Sequence, residues 1–264
     1  MQLLTIEELG LEKSEWTAIE TALTAGRGLV VFAGIGGSGK ANTQHTAFSK
    51  ISGPGKCLIA GEDVATLHGP STNFIKLEPG AGRNLAGAFK AEAAKAAKSI
   101  LVDGLQNAME VDIALKAAAA GHLVLGTMDT PDTAATLAAL GAMCGNSGPD
   151  AALLASTLTL VTAQRLLRRP CRDCAVPAGD GKGDGAKFEK GSGCATCNQS
   201  GYKGRTAAYE VMPMTPALAA LLKAKAGAAA IHAQAVKEGM RSMRDAALAK
   251  MRQGLTTMAE VRTL

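Results

Sequence analysis

Two groups of residues in this chain have the types and spacing that do chemistry. The first is residues 34–41, Gly-Ile-Gly-Gly-Ser-Gly-Lys-Ala. In a G-x-x-x-x-G-K-[S/T] loop the glycines let backbone N–H groups turn inward around phosphates. The lysine adds a point charge, and the closing hydroxyl helps hold Mg²⁺. Gly34, Gly36, Gly37, Ser38, Gly39 and Lys40 supply everything but the last, and Ala41 stands where the hydroxyl belongs. The expected ligand is a nucleotide, ATP or ADP, with the part played by Mg²⁺ left open. The alternative is a glycine-rich strand-to-helix turn that binds nothing. The second group is Cys171, Cys174, Cys194 and Cys197, two C-x-x-C pairs with nineteen residues between them. That spacing suits a tetrahedral thiolate zinc site, and in a reducing compartment it is favoured over two disulfides.

The flanking elements support a real phosphate loop. Leu29-Val30-Val31-Phe32-Ala33 reads as a buried strand before it, and Lys40 to Lys50 lacks glycine and proline and can be helix. Residues 14–25 suit an amphipathic helix with Ser14 as N-cap and Gly26 just past its end. Cys57 to Ala60 reads as a second strand, Asn84 to Lys98 as helix, and Ile100-Leu101-Val102 as a strand stopping at Asp103. Met109 to Ala120 is expected as helix, His122 to Gly126 as strand, Asp132 to Met143 as helix and Asp150 to Leu167 as a longer one. This alternation argues an α/β fold with a parallel sheet and helices on both faces. After Pro170 the character changes to the cysteine pairs, a glycine-rich run from Gly179 to Gly185 expected to be a mobile loop, strand-like residues from Tyr202 to Met212, and small helices. Thr257-Met258-Ala259-Glu260 has the form of a capping box for the last of them.

Composition sets bounds. With 264 residues, 47% of them hydrophobic, the chain can bury a core in one large domain or two small ones. The net charge of +5 is modest. Arg165, Arg168, Arg169 and Arg172 gather beside the cysteines instead of forming a long basic face, so nucleic acid is not an expected partner. No apolar run reaches the ~20 residues that span a bilayer, and Met1-Gln2-Leu3-Leu4 begins neither a signal peptide nor an anchor, which points to the cytoplasm.

Several segments together resemble the ATPases that drive type II secretion and type IV pilus assembly, over nearly the whole chain. Ile113 to Ala118 followed by Gly121 to Leu125 looks like that family's helix and strand after its Walker B box. Ala163 to Arg169 leading into the cysteine pairs matches its tetracysteine subgroup. Gly201-Tyr202-Lys203-Gly204-Arg205-Thr206, Tyr209-Glu210, Gly239-Met240 and Gly254-Leu255-Thr256-Thr257 are similar to its later signatures. Leu3 to Leu11 looks like the linker into its C-terminal ATPase domain, so the family's N-terminal domain is expected to be missing. The resemblance implies ring hexamers docking on an inner-membrane platform protein, hence a peripheral place at that membrane, or pairing with an active paralogue.

Position by position, most of the family's chemistry does not carry over. The loop threonine is Ala41. The Gly-Glu-Ile-Arg-Asp box falls on Asp103-Gly104-Leu105-Gln106-Asn107, so the catalytic glutamate is Gly104, the arginine Gln106 and the aspartate Asn107. The box that ends its next strand puts Asp129 where the family has histidine, and its helix arginines become Lys90 and Ala94. Glu62, Asp63 and Asp103 remain as catalytic candidates, Asp103 ending an apolar run as a Walker B aspartate does. The expected whole is a RecA-like P-loop domain over 1–168 joined to a zinc-binding and helical region over 169–264. The expected role is a nucleotide-binding, motor-associated or regulatory subunit with weak or absent hydrolysis. An active ATPase and a scaffold that binds no nucleotide are the other two readings.

Overall fold

Every residue of β1 (Gly28–Ala33) is buried, and its side chains divide alternately between two apolar layers. Leu29 and Val31 point into a core shared with the helices α5 (Ala108–Ala119) and α6 (Thr133–Met143). Val30 and Phe32 point into another, lined by α2 (Lys13–Thr24) and α3 (Lys40–Lys50). A strand apolar on both faces belongs in the middle of a sheet covered by helices on each side. The computed structural model describes residues 3–51, 55–60, 72–76, 85–91, 95–145, 148–178 and 185–264.

The sheet has seven strands in the order β3-β2-β4-β5-β1-β6-β9. They are β2 (Lys56–Ala60), β3 (Thr72–Lys76), β4 (Ser99–Val102), β5 (Leu123–Met128), β6 (Leu158–Pro170) and β9 (Tyr202–Pro213) around β1. All neighbours pair in parallel except β6 with β9. The carboxyl ends of β4, β1 and β5 therefore open along one edge, where open α/β sheets place their ligands. β6 is longer than its neighbour. Its residues Leu158–Ala163 pair with β1, and from Gln164 to Pro170 it pairs with β9 alone. Residue 168, the expected end of the first region, falls inside this ribbon. A separate pair, β7 (Val176–Pro177) with β8 (Phe188–Glu189), sits between the cysteine pairs.

Three helix expectations are corrected. The helix expected from Asp150 to Leu167 stops at Thr157: α7 is Ala151–Thr157, and β6 follows. Its alanine- and leucine-rich start is good helix sequence. From Thr157 on, however, Thr159, Val161 and Thr162 are β-branched and suit a pleated surface, and β1 recruits them as its parallel neighbour. Of the helix expected from Asn84 to Lys98, α4 is Leu85–Lys90, while Asn84 and residues 92–94 lie outside the described residues. Lys98 is not helical; its N–H donates to the Gly55 carbonyl at 2.7 Å as β4 begins. Finally, α2 starts before Ser14, with Glu12 at the N-cap and its N–H donating to the Glu15 carboxylate at 2.8 Å. The expected mobile run at Gly179–Gly185 lies outside the described residues apart from Gly185.

The C-terminal helices α8 (Pro216–Lys223), α9 (Ala228–Lys237), α10 (Met243–Arg252) and α11 (Met258–Val261) pack back on this sheet. Met243, Ala246, Ala247 and Met251 of α10 meet Ala33, Ala163, Leu167 and Ala208. One buried carboxylate joins the two parts. Glu210 of β9 accepts the Thr133 N–H at 3.0 Å, the Thr133 hydroxyl at 2.9 Å and the Met243 N–H at 2.8 Å. It thereby satisfies the first turns of α6 and α10, whose N–H groups have no partner inside their own helices. At α11 only half of the expected capping box forms. Thr257 accepts the Glu260 N–H, but the Glu260 carboxylate accepts from Arg168, through Nη2 at 2.7 Å, Nε at 3.0 Å and the backbone N–H at 2.8 Å.

Glu210→Ala leaves the buried N–H groups of Thr133 and Met243 without an acceptor and the Thr133 hydroxyl with only the Met240 sulfur at 3.3 Å, and each orphaned donor costs roughly 1–3 kcal/mol. The expected result is a loss of about 3 kcal/mol or more in urea unfolding. A change below about 1 kcal/mol would show that the helix starts are satisfied in some other way.

Candidate functional site

The phosphate loop leaves the end of β1 and enters α3 through glycines that the backbone requires. Gly34, Gly37 and Gly39 have φ of 153°, 76° and 85°, values that side chains other than glycine rarely adopt. A Cβ on Gly34 would collide with the Ser38 side chain, while Gly36 and Gly37 face open space. Behind the loop, Gln164 of β6 donates from Nε2 to the Ser38 carbonyl at 2.8 Å, and a Cβ on Gly39 would lie 3.0 Å from that same nitrogen. Ser38 is 3% exposed, and its hydroxyl has no hydrogen-bond partner among the described residues. Gln164 was not a sequence candidate, because one polar residue in a strand pattern reads as an ordinary outward position.

Lys40 opens α3, and its ammonium is held. Its Nζ lies 2.5 Å from Asp129 Oδ1, the lysine side chain 17% exposed and the aspartate 69%. Asp129 follows the last residue of β5 and supplies the lysine's counter-ion. Ala41 contributes no hydroxyl, and the next polar residue does not substitute for it: Asn42 Oδ1 accepts the Leu4 N–H at 3.2 Å. Gln44, one turn on, donates from Nε2 to the carbonyls of Val102 at 2.9 Å and Leu125 at 3.0 Å. That clamp fixes α3 against the end of β4 and the middle of β5. Its signal in the sequence is faint, a single amide on a helix face that proves fully buried.

Asp103 follows the last residue of β4. Burial pushes its carboxyl pKa up, Lys40 pulls it down and Asp129 raises it again. By its surface area Asp103 is exposed to solvent, which limits that upward push. Asp103 thus lies within electrostatic reach of the Lys40–Asp129 pair, two carboxylates to one ammonium. Gly104, where the family's glutamate falls, has φ of 98°, and its N–H donates to Thr127 Oγ1 at 2.9 Å. That backbone is left-handed, so a side chain there is strained as well as missing. The Gln106 N–H donates to Glu110 at 2.7 Å, and Asn107 caps α5 by accepting the Glu110 N–H at 3.0 Å. Both therefore serve the start of a helix. Glu62, Asp63 and Ala94 lie outside the described residues, and Lys90 is the last residue of α4.

The four cysteines come together as their spacing implies. Their sulfurs all lie within 4.8 Å of one another, with Cys171–Cys194 and Cys174–Cys197 at 3.8 Å and Cys194–Cys197 at 3.7 Å. A zinc–sulfur bond of ~2.3 Å gives a tetrahedron with edges of about 3.8 Å, whereas a disulfide needs ~2.05 Å, so the arrangement fits a zinc ion. Burial works against a thiolate at Cys197. The N–H groups of Cys194 and Gly201, each 3.2 Å from its sulfur, and the neighbouring thiols outweigh this and bring its pKa down to about 6. Close backbone packing shapes the knuckle, since a Cβ on Gly191 or Gly193 would overlap Cys174 or Gln199. Cys57 and Cys144 are buried elsewhere, Cys57 with its pKa pushed up to about 11 by burial.

Comparison with known proteins agrees with this geometry. The profile of the family described as type II/IV secretion system protein matches residues 1–263. A type IV pilus assembly ATPase PilB from Myxococcus xanthus is 32% identical, over 98% of this chain and 47% of its own length. The type II secretion system ATPase E of Vibrio cholerae is 26% identical, over 98% of this chain and 52% of its own. The chain thus spans about half the length of the curated relatives it matches. Among solved structures, the ATPase DotB of Legionella pneumophila superposes with a TM-score of 0.71 at 17% identity, covering 99% of this chain and 65% of that one. That likeness concerns the fold.

Purified protein is expected to carry about one zinc per chain. Cys194→Ser should bring this below about half an equivalent and lower the unfolding temperature, since binding to the folded site is itself folding free energy. A zinc content near zero in the unaltered protein, measured by elemental analysis, would refute the site.

Proposed function

The chain belongs to the type II/IV secretion system protein family, and within it we propose a nucleotide-binding subunit that hydrolyses ATP weakly or not at all. One observation carries this reading: the loop lysine is paired with Asp129 at 2.5 Å. Phosphoryl transfer depends on positioning and on positive charge offered to the terminal phosphate. Here that charge is already neutralised, Gln106 offers none, and Gly104 supplies no base. The glycine geometry that wraps phosphates is retained, which supports binding. Gly34, Gly36, Gly37, Ser38, Gly39, Lys40 and Ala41 would hold the phosphates of ATP or ADP.

The cysteine cluster is, on this proposal, a structural zinc site, since four thiolates leave no open position for a substrate. No helix among the described residues is long and apolar enough to cross a membrane. A cytoplasmic place at the inner membrane, contact with a platform protein or an active paralogue, and a homo- or hetero-hexamer follow from the family and belong to this proposal. They assign the chain to the assembly or regulation of a motor. A second reading has its own support. Asp103 lies close enough to Lys40 to feel its charge, and a Mg²⁺ ion held there would favour an active ATPase.

Hydrolysis of ATP by the chain alone is expected to be no faster than by Lys40→Ala. Lys40-dependent turnover near ~0.1 s⁻¹, within the range of slow enzymes, would reject the proposal. Nucleotide affinity should change by less than about threefold between EDTA and millimolar Mg²⁺, because no hydroxyl at position 41 presents the ion. A strong Mg²⁺ requirement in a binding titration would favour the second reading.

A further inference from the structure

The charge at the phosphate loop is not uniform along its length. At one end lie the N-terminus of the 11-residue α3, the glycines with open space at Gly36 and Gly37, and the buried, unpartnered Ser38 hydroxyl. A helix start of this kind favours negative charge. At the other end Lys40 is met by Asp129, and Asp103 stands near enough to feel both. Two carboxylates against one ammonium leave that end negative.

In a loop of this pattern the backbone amides cradle the α- and β-phosphates and the lysine reaches the β- and γ-phosphates. The inner phosphates of a nucleotide would therefore meet the favourable end of this loop. A third phosphate would come to the lysine, where Asp129 already sits at hydrogen-bonding distance. Resting on the nucleotide-binding reading above, we propose that Asp129 is a specificity-determining residue that makes this loop select nucleoside diphosphates over triphosphates. The outer phosphate adds about one negative charge within a few ångströms of a carboxylate, and it must either displace that carboxylate from Lys40 or lie against it. The terminal phosphate of a diphosphate also comes to the lysine, but a diphosphate brings about one negative charge fewer to that carboxylate.

Asp129 is the exposed partner and Lys40 the enclosed one, so Asp129→Asn removes the charge without opening the core. The test titrates ADP and ATP by calorimetry into the unaltered chain, Asp129→Asn and Lys40→Ala, first in EDTA and then with Mg²⁺. The unaltered chain is expected to bind ADP roughly tenfold or more tightly than ATP, a difference of about 1.4 kcal/mol. In Asp129→Asn the ratio should fall to about threefold or less, chiefly because ATP tightens. Equal affinities in the unaltered chain, ATP the tighter ligand in either condition, or an unchanged ratio in Asp129→Asn would overturn the selectivity and leave nucleotide binding intact. If the unaltered chain binds neither nucleotide while Asp129→Asn binds, Asp129 excludes phosphates altogether and the selectivity is again overturned. Absence of binding in every variant would instead reject the nucleotide-binding reading, and this inference with it.

Discussion

The antiparallel pairing of β6 with β9 is the constraint on which the other parts depend. Over its first half β6 is an interior strand, bonded to β1 on one side and β9 on the other. Past Ala163 it outruns β1 and continues as a two-stranded ribbon. Gln164 stands at the point of departure and braces the phosphate loop from behind. Seven residues further, roughly 23 Å at ~3.3 Å per residue, the ribbon delivers Cys171, and β9 starts five residues after Cys197. The cysteine cluster therefore fastens the far end of a ribbon whose near end supports the loop. Glu210, on the returning strand, ties the C-terminal helices to α6. Arg168 does the same for α11, stacking 4.2 Å from the Tyr202 ring centroid while its guanidinium is held by Glu260.

Geometry and charge have separated at the phosphate loop. The left-handed glycines, the strand before them and the helix after them are features of shape, and all are present. On the proposed reading, the groups that would make this shape a catalyst are features of charge, and the residues at those positions serve other uses. Lys40 is balanced by Asp129, Asn107 caps a helix, and position 104 has relaxed into a backbone conformation that suits its glycine. A side chain cannot simply be returned there, because the left-handed region costs an L-residue roughly 1–2 kcal/mol.

Much of this was legible in the sequence for identifiable reasons. The apolar run at 29–33 followed by spaced glycines admits few arrangements, and α3 was read to its end residues because nothing between Lys40 and Lys50 breaks a helix. The cysteine spacing specified a cluster without any knowledge of the chain between. The longest error, helix for strand at Leu158–Leu167, arose where local and tertiary preferences diverge. Leu, Ala, Gln and Arg are good helix formers, and pairing with β1 as far as Ala163 and with β9 to the end of the segment makes it a strand. Ion pairs were hidden for a different reason. Lys40 and Asp129 are 89 residues apart, and Arg168 and Glu260 are 92 apart, so no local pattern announces that each will find the other. Gln44 and Gln164 were overlooked because a buried amide looks in sequence like an exposed one.

The outer strand has a consequence for how this chain can be divided. A sheet edge offers a row of unsatisfied N–H and C=O groups to any other extended chain. β9 covers that row from Leu160 to Pro170 of β6, and near the cysteines it presents Lys203 and Arg205 outward, charges that discourage further strand addition. A fragment that stopped near residue 168 would keep the phosphate loop but expose the β6 edge, with Leu160, Val161 and Leu167 on it. Such a piece has the makings of an intermolecular sheet and would clump before it reported on nucleotide chemistry. The half that carries the glycine loop and the half that carries the four cysteines are thus solubilised by each other, and insertions or fusions are best tolerated outside the ribbon.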